Sequence, residues 1–230
     1  ERLEQLRYAW RGDDLETQIL YRLGNLYIEN NEPVQGLSLL RQAASNSADQ
    51  TVVDQITAQM TQSFADIFLT DRLNDISPIE AVTLYEEFNE LVPAGAQGDV
   101  LARKLANQLV EIDLLERAAR LLKSQLQINN AGVPALELSI DLAKIQLMDR
   151  NPQAALNTTR QAENVYNALV KSVTDKDSPQ LANARTLYED VLFYRAKALA
   201  DDGDNDKALA LLATLPKNEQ VLTFLISNCF

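Results

Sequence analysis

The sequence predicts an all-α fold of stacked antiparallel helical hairpins, and three observations predict it. Small residues recur twelve positions apart with apolar neighbours at helical spacing: Gly24 with Gly36, Ala106 with Ala118, Ala143 with Ala155, and Ala196 with Ala208. A weaker copy runs from Leu69 to Ala81. Small side chains at fixed points on consecutive helices let two backbones approach closely. Only seven glycines interrupt the 230 residues, and Ala/Leu-rich segments carry apolar residues at three- and four-residue intervals without sustained two-residue alternation. Prolines preceded by polar residues mark helix starts at Asn31-Glu32-Pro33, Ser77-Pro78, Asn151-Pro152 and Ser178-Pro179, because proline suits the first helical turn.

Taken in order, helices are predicted over 2–10, 13–30 and 33–45, the last opening at Pro33, and then over 50–73. The next, 78–92, opens on Ser77-Pro78-Ile79-Glu80, a capping box in which the Ser77 hydroxyl accepts from the Glu80 amide and the Glu80 carboxylate reaches back. The break Pro93-Ala94-Gly95-Ala96-Gln97-Gly98 leads to 99–111 and 114–128, which carry Ala106 and Ala118. Helices 134–149 and 152–171 carry Ala143 and Ala155; after the polar stretch Thr174-Asp175-Lys176-Asp177-Ser178 come 179–202, 205–215 and 218–229. The twelve helices make about six hairpins in a single domain over 1–230, since a repeat array has no interior boundary where its core must stop. The chain opens on Glu1, not Met, so it is expected to be a fragment of a longer or processed protein.

Composition narrows the function. Thirty-three acidic against 21 basic residues give a formal charge of −12, which disfavours nucleic acid and anionic membrane. One cysteine, Cys229, allows neither an intrachain disulfide framework nor a multi-cysteine metal site, and the absence of histidine removes the commonest general base and metal ligand. No apolar run approaches the roughly 18 to 20 residues of a membrane helix, so a soluble protein is expected. Compartment is open between cytoplasm and periplasm, with the cytoplasm preferred.

Sharper motifs fail one by one. Asp202-Gly203-Asp204-Asn205-Asp206 has the alternating aspartates of a calcium loop, yet Lys207 stands where the turn needs glycine and Ala213 where a bidentate glutamate should close the site. These aspartates read as turn and helix-start residues before Ala208. There is no Walker loop and no G-x-S-x-G elbow, and Glu86 and Glu87 point in different directions on one helix. Cys229 has no evident base to make it nucleophilic. The expectation is therefore no enzyme, no cofactor and no metal.

Leu20, Leu23-Gly24, Tyr27, Gly36, Leu40 and Ala43 fall at the spacing of the tetratricopeptide repeat (TPR), which this unit resembles. Leu105-Ala106, Leu109, Ala118 and Leu122 form a second match, Leu142-Ala143, Ala155 and Ala162 a third, and Ala196, Leu199, Ala208 and Leu212 a fourth. The unit with Leu69 keeps Ala81, Tyr85, Phe88 and Pro93. Anchors at 24, 69, 106, 143 and 196 depart from a constant period near 34. The resemblance thus implies a TPR-like right-handed α-solenoid with irregular repeat lengths, its concave groove lined by the first helix of each pair.

Groove positions implied by the resemblance are Tyr21, Asn25, Arg103, Asn107, Lys144, Phe193 and Lys197, with Lys104 close by. The basic side chains suit an acidic segment or a C-terminal carboxylate, and Asn25 and Asn107 suit a bound backbone. Phe193 and Tyr194 read first as packing between hairpins. Tyr21 stands where the family's carboxylate clamp places a lysine. The apolar terminal segment from Val221 to Phe230 needs cover, by folding back on the last hairpin, by further repeats, or by homo-oligomer contact. The functional expectation is a protein-interaction scaffold or adaptor that holds a peptide or helix, the alternative being an accessory or regulatory helical domain of a larger enzyme or cell-envelope assembly.

Overall fold

The structure is a computed structural model that describes residues 14–175 and 177–227. The predicted helix over 2–10, the end of the terminal segment and Cys229 lie outside the described residues. Among those described there are eleven α-helices and no strand. They are α1 (Asp14–Glu29), α2 (Pro33–Asn46), α3 (Gln50–Leu69), α4 (Pro78–Glu87), α5 (Ala96–Glu111), α6 (Leu115–Ile128), α7 (Gly132–Met148), α8 (Pro152–Ser172), α9 (Pro179–Asp201), α10 (Asn205–Leu212) and α11 (Glu219–Ser227).

Helix starts follow the local chemistry. Pro33, Pro78, Pro152 and Pro179 each occupy the first turn of their helix. Ser77 Oγ accepts from the Glu80 amide at 3.2 Å, and Asn151 Oδ1 accepts from the Ala154 amide at 3.1 Å, each satisfying one orphan donor of the helix start. Two predicted helices give way to 3₁₀ turns before their expected ends. The segment 50–73 leaves the α-helix at Leu69 for a 3₁₀ turn, Asp71–Asp75, with the Arg72 guanidinium donating to the Ile28 carbonyl at 2.8 Å. The segment 78–92 ends as α-helix at Glu87 and continues as the 3₁₀ turn Asn89–Leu91.

Four hairpins share one turn geometry. Asn31, Asp113, Arg150 and Gly203 have φ of 65°, 62°, 54° and 89°. Each lies seven positions after the first small residue of its pair and five before the second. The following amide donates five residues back at 2.8 Å in every case: Glu32 to Tyr27, Leu114 to Leu109, Asn151 to Gln146, and Asp204 to Leu199. This left-handed helix ending, with its long return bond, satisfies carbonyls that the helix leaves open and reverses the chain in the same way each time. The small residues are buried on both sides of the turn, Gly24 with Gly36, Ala143 with Ala155 and Ala196 with Ala208, and the first two pairs pack together.

The chain forms two compact units, Glu1–Leu101 and Ala102–Phe230. In the first, α1 packs on α2 and α2 on α3. Its largest buried side chains are Phe64, Phe68 and Phe88, with the first two rings 4.7 Å apart. Arg41 lies over the Phe88 ring at 4.1 Å and donates to the Glu87 carbonyl at 2.8 Å. In the second unit α6 packs on α7, α7 on α8, and α9 on α7, α8 and α10. Its core includes Ala143, Ala155 and Ala198, joined by Leu136, Ala162, Ala184 and Val191 alongside. Val221 of α11 is buried against Phe193, Ala196, Leu212 and Leu215, so α11 covers the last hairpin, while Leu222 and Ile226 stay exposed.

Candidate functional site

Asn25, Asn107, Lys144 and Lys197 each follow the first small residue of a hairpin by one position. One residue onward turns the helix by about 100°, which carries all four away from the hairpin contact in the same sense. The second unit brings part of this set together. There α9 packs on α7, and Arg103 of α5 reaches α7, its Nη1 donating to Glu137 Oε2 at 2.9 Å and its Nε to Asp141 Oδ2 at 2.5 Å. Arg103, Asn107, Lys144 and Lys197 thus lie on α5, α7 and α9, in the part of the chain that forms the second unit.

Arg103 is placed as a bridge between helices, with a carboxylate on each arm, so its charge is already engaged. Asn107 and Lys144 are exposed, and Lys104 is half-buried with a contact of its own. Lys197 is half-buried, its ammonium 5.7–5.8 Å from the ring centres of Phe193, Tyr194 and Phe224, within cation–π range. Phe193 is buried against Leu212, Leu215 and Val221 and meets Phe224 edge to face at 6.0 Å, so it packs α9 against the elements that follow it. In the first unit Tyr21 and Asn25 are half-buried, and Asn25 Nδ2 donates to the Tyr21 carbonyl at 3.0 Å.

Sequence reasoning missed the acidic half of this face: Glu137, Asp141 and Asp190. Burial pushes the Asp190 carboxyl above its ordinary value, with Glu189 adding to the rise. Burial first, then the charges of Asp190 and Asp141, push the Tyr194 phenol up. The signal was present, since Glu137 and Asp141 stand four apart, one hairpin after Arg103. Also missed was the distribution of charge: residues 1–101 hold 17 acidic and 6 basic side chains, and residues 102–230 hold 16 and 15. The face on α5, α7 and α9 belongs to a nearly neutral unit.

A second polar network fixes α9 against α8. Arg195 donates to Glu163 Oε2 at 2.9 Å and to the Thr159 carbonyl at 2.7 Å, while the Tyr188 hydroxyl donates to Glu163 Oε1 at 3.0 Å. The Tyr188 and Tyr166 rings stack with centres 4.1 Å apart. The aspartates of the 202–206 stretch serve the turn: Asp204 caps α10 by accepting from the Lys207 amide at 3.4 Å and pairs with the Lys207 ammonium, and Asp202 accepts from Gln153. Among the described residues no group of three acidic, histidine or cysteine side chains could hold a metal, and no helix is long and apolar enough to cross a membrane.

The repeated spacing and the repeated turn define a protein built of repeated helical hairpins. No family model matches the sequence, and no curated protein matches it. Among solved structures the chain is similar to a Podosopora anserina protein assigned as a kinesin light chain and built of nearly identical TPR-like repeats. The two share 15% identity over 95% of this chain and 99% of that one, with a TM-score of 0.44. A point variant of that same protein gives 15% identity, coverage of 94% and 97%, and a TM-score of 0.43. The hairpin architecture itself rests on this chain's own Gly24–Gly36 and Ala143–Ala155 contacts.

Proposed function

We propose that this chain is a non-catalytic scaffold that holds a peptide or helix of a partner protein on the first-helix face of its second unit. The observation that carries the reading is the common register of Asn107, Lys144 and Lys197 on helices joined by the Arg103 bridge and by α7–α9 packing. Lys144 and Lys197 offer cations, and Asn107 a carboxamide, to a segment with an acidic side chain or terminal carboxylate. Arg103 orients the face and does not contact the ligand, because its guanidinium is occupied by Glu137 and Asp141.

The test is a crosslinking pull-down from extract of the source cell, comparing the intact chain with a Lys144→Glu, Lys197→Glu double variant of unchanged helicity. A protein retained by the intact chain and lost by the variant supports the reading. Equal recovery by both overturns it, as does turnover of a substrate by the isolated chain.

A further inference from the structure

A cleft of about 480 Å³ opens between α6 and α8 with α7 as its floor, on residues unrelated to the first-helix face. Such a volume lies within the ordinary range of ligand sites. Its rim is built of carboxamides: Gln127 from α6, Asn130 from the turn after it, and Asn157 and Gln161 from α8, all exposed. Among the described residues that line it there is no carboxylate and one ammonium, Lys123. This composition is unusual in a chain of charge −12, where acidic side chains outnumber basic ones.

The floor is polar in a defined sense. Gln146 Oε1 accepts from Thr158 Oγ1 at 2.8 Å, which leaves the amide nitrogen of Gln146 as the group available to the cleft. Ser139 is buried and donates its hydroxyl proton to the Ala135 carbonyl at 2.7 Å, which leaves its oxygen lone pairs as acceptors. A donor and an acceptor thus stand beside Leu142 of α7 and Val165 of α8, the apolar part of the lining.

We propose that this cleft binds an extended peptide strand of a partner protein through its main-chain amides. A carboxamide presents a donor and an acceptor on one planar group, so it can meet the C=O and N–H of a peptide unit together. Asn157 and Gln161 are four residues apart on α8, an axial separation of about 6 Å; Asn157 Oδ1 already accepts from Arg160 Nη1 at 3.2 Å, so the group Asn157 offers a strand is its amide nitrogen. Alternate residues of an extended strand are about 6.6 Å apart, so successive carboxamides fall in step with alternate peptide units. The lack of carboxylates in the lining removes the repulsion an acidic strand would meet elsewhere on the chain. One side chain of the strand enters over Leu142 and Val165.

The test is selection of a phage-displayed random dodecapeptide library on the full chain, followed by titration of the enriched peptides as synthetic molecules. The chains titrated are wild type, Gln146→Leu, Asn157→Arg and Lys144→Glu. Asn157 is exposed, so its substitution blocks the rim without removing core contacts. The expected result is a peptide that loses about tenfold or more in affinity on Gln146→Leu and Asn157→Arg, the scale of one or two lost hydrogen bonds. The same peptide keeps its affinity on Lys144→Glu and is weakened by N-methylation at alternate residues. Failure to enrich any peptide overturns the proposal. So do enriched peptides insensitive to both cleft substitutions or to N-methylation. Peptides lost only on Lys144→Glu would overturn it while supporting the first-helix face.

Discussion

Gly24 and Gly36 bring α1 and α2 into backbone contact: a methyl placed on Gly36 would lie 2.7 Å from the Gly24 carbonyl oxygen and 2.5 Å from Ile28 Cγ1. In an open helix interior, Gly→Ala is favourable by about 1 kcal/mol. Here the carbonyl is backbone and cannot swing aside, so the helices must separate. Gly36→Ala is expected to lower stability by about 1 to 3 kcal/mol, the range for overpacked cores, measured by urea unfolding. Unchanged or increased stability would mean that the two helices can part without cost.

Arg150 and Gly203 occupy the same left-handed position in their hairpins, with φ of 54° and 89°. A residue with a Cβ pays about 1 kcal/mol or more for that conformation, and glycine does not. Arg150→Gly is therefore expected to raise stability by about 1 kcal/mol and Gly203→Ala to lower it by a similar amount. A Cβ on Gly203 meets nothing within 4 Å, so the second change isolates the backbone effect. Midpoints of denaturant unfolding that move the same way for both variants would contradict the shared turn geometry.

Glu32 shows how the same register can go unused. Its backbone, at φ −117° and ψ 63°, nearly coincides with Asn151 at −114° and 70°, which caps α8 through its side chain. Glu32 makes no such bond to α2, since its carboxylate sits one methylene too far out. Glu32→Asp is expected to add the cap and raise stability by about 0.5 to 1 kcal/mol. A neutral result in thermal unfolding, with Asn151→Ala costing as much as a cap should, would show that the α2 start differs from α8.

The hairpin spacing and the proline starts were legible because they report local chemistry: small residues at contacts, and rings at positions with no N–H to lose. The shared left-handed turn was half legible. Asn31, Asp113 and Gly203 are residues that tolerate positive φ, whereas Arg150 is not, and only the three-dimensional register puts it with them. The 3₁₀ turns after Leu69 and Glu87 were hidden because apolar periodicity continues through Leu73, Phe88 and Leu91, all buried. At the candidate site, the exposure of Lys144 and Asn107 followed from register, but the partners of Arg103 did not. Pairing across hairpins depends on which turn of one helix faces which turn of the next, and spacing within a helix does not encode that.

Tyr188, Glu163 and Arg195 make the contact of α8 and α9 lose stability at both ends of the pH range. Burial first, then the hydrogen bond to Glu163, push the Tyr188 phenol up from 10.0 to about 12. In the unfolded chain this phenol ionises near 10, so the stability it contributes is fully present below that pH and is lost as pH rises from 10 through about 12. For Glu163, burial favours the neutral acid, but the bonds from Arg195 and Tyr188 and the charges of Arg195 and Arg160 outweigh it and hold the carboxyl below its ordinary value. Its contribution is present above the unfolded carboxyl range and is lost as pH falls through the depressed value. Tyr188→Phe should therefore flatten the alkaline fall in unfolding free energy between pH 10 and 12 and leave part of the acid limb. Glu163→Gln should flatten the acid limb and also reduce the alkaline one, because the Tyr188 hydroxyl would face a neutral amide. Urea unfolding across pH 3 to 12 for the three chains separates these effects. Parallel alkaline limbs for wild type and Tyr188→Phe would show that the phenol titrates alike in folded and unfolded chains, and that the Glu163 bond does not hold its proton.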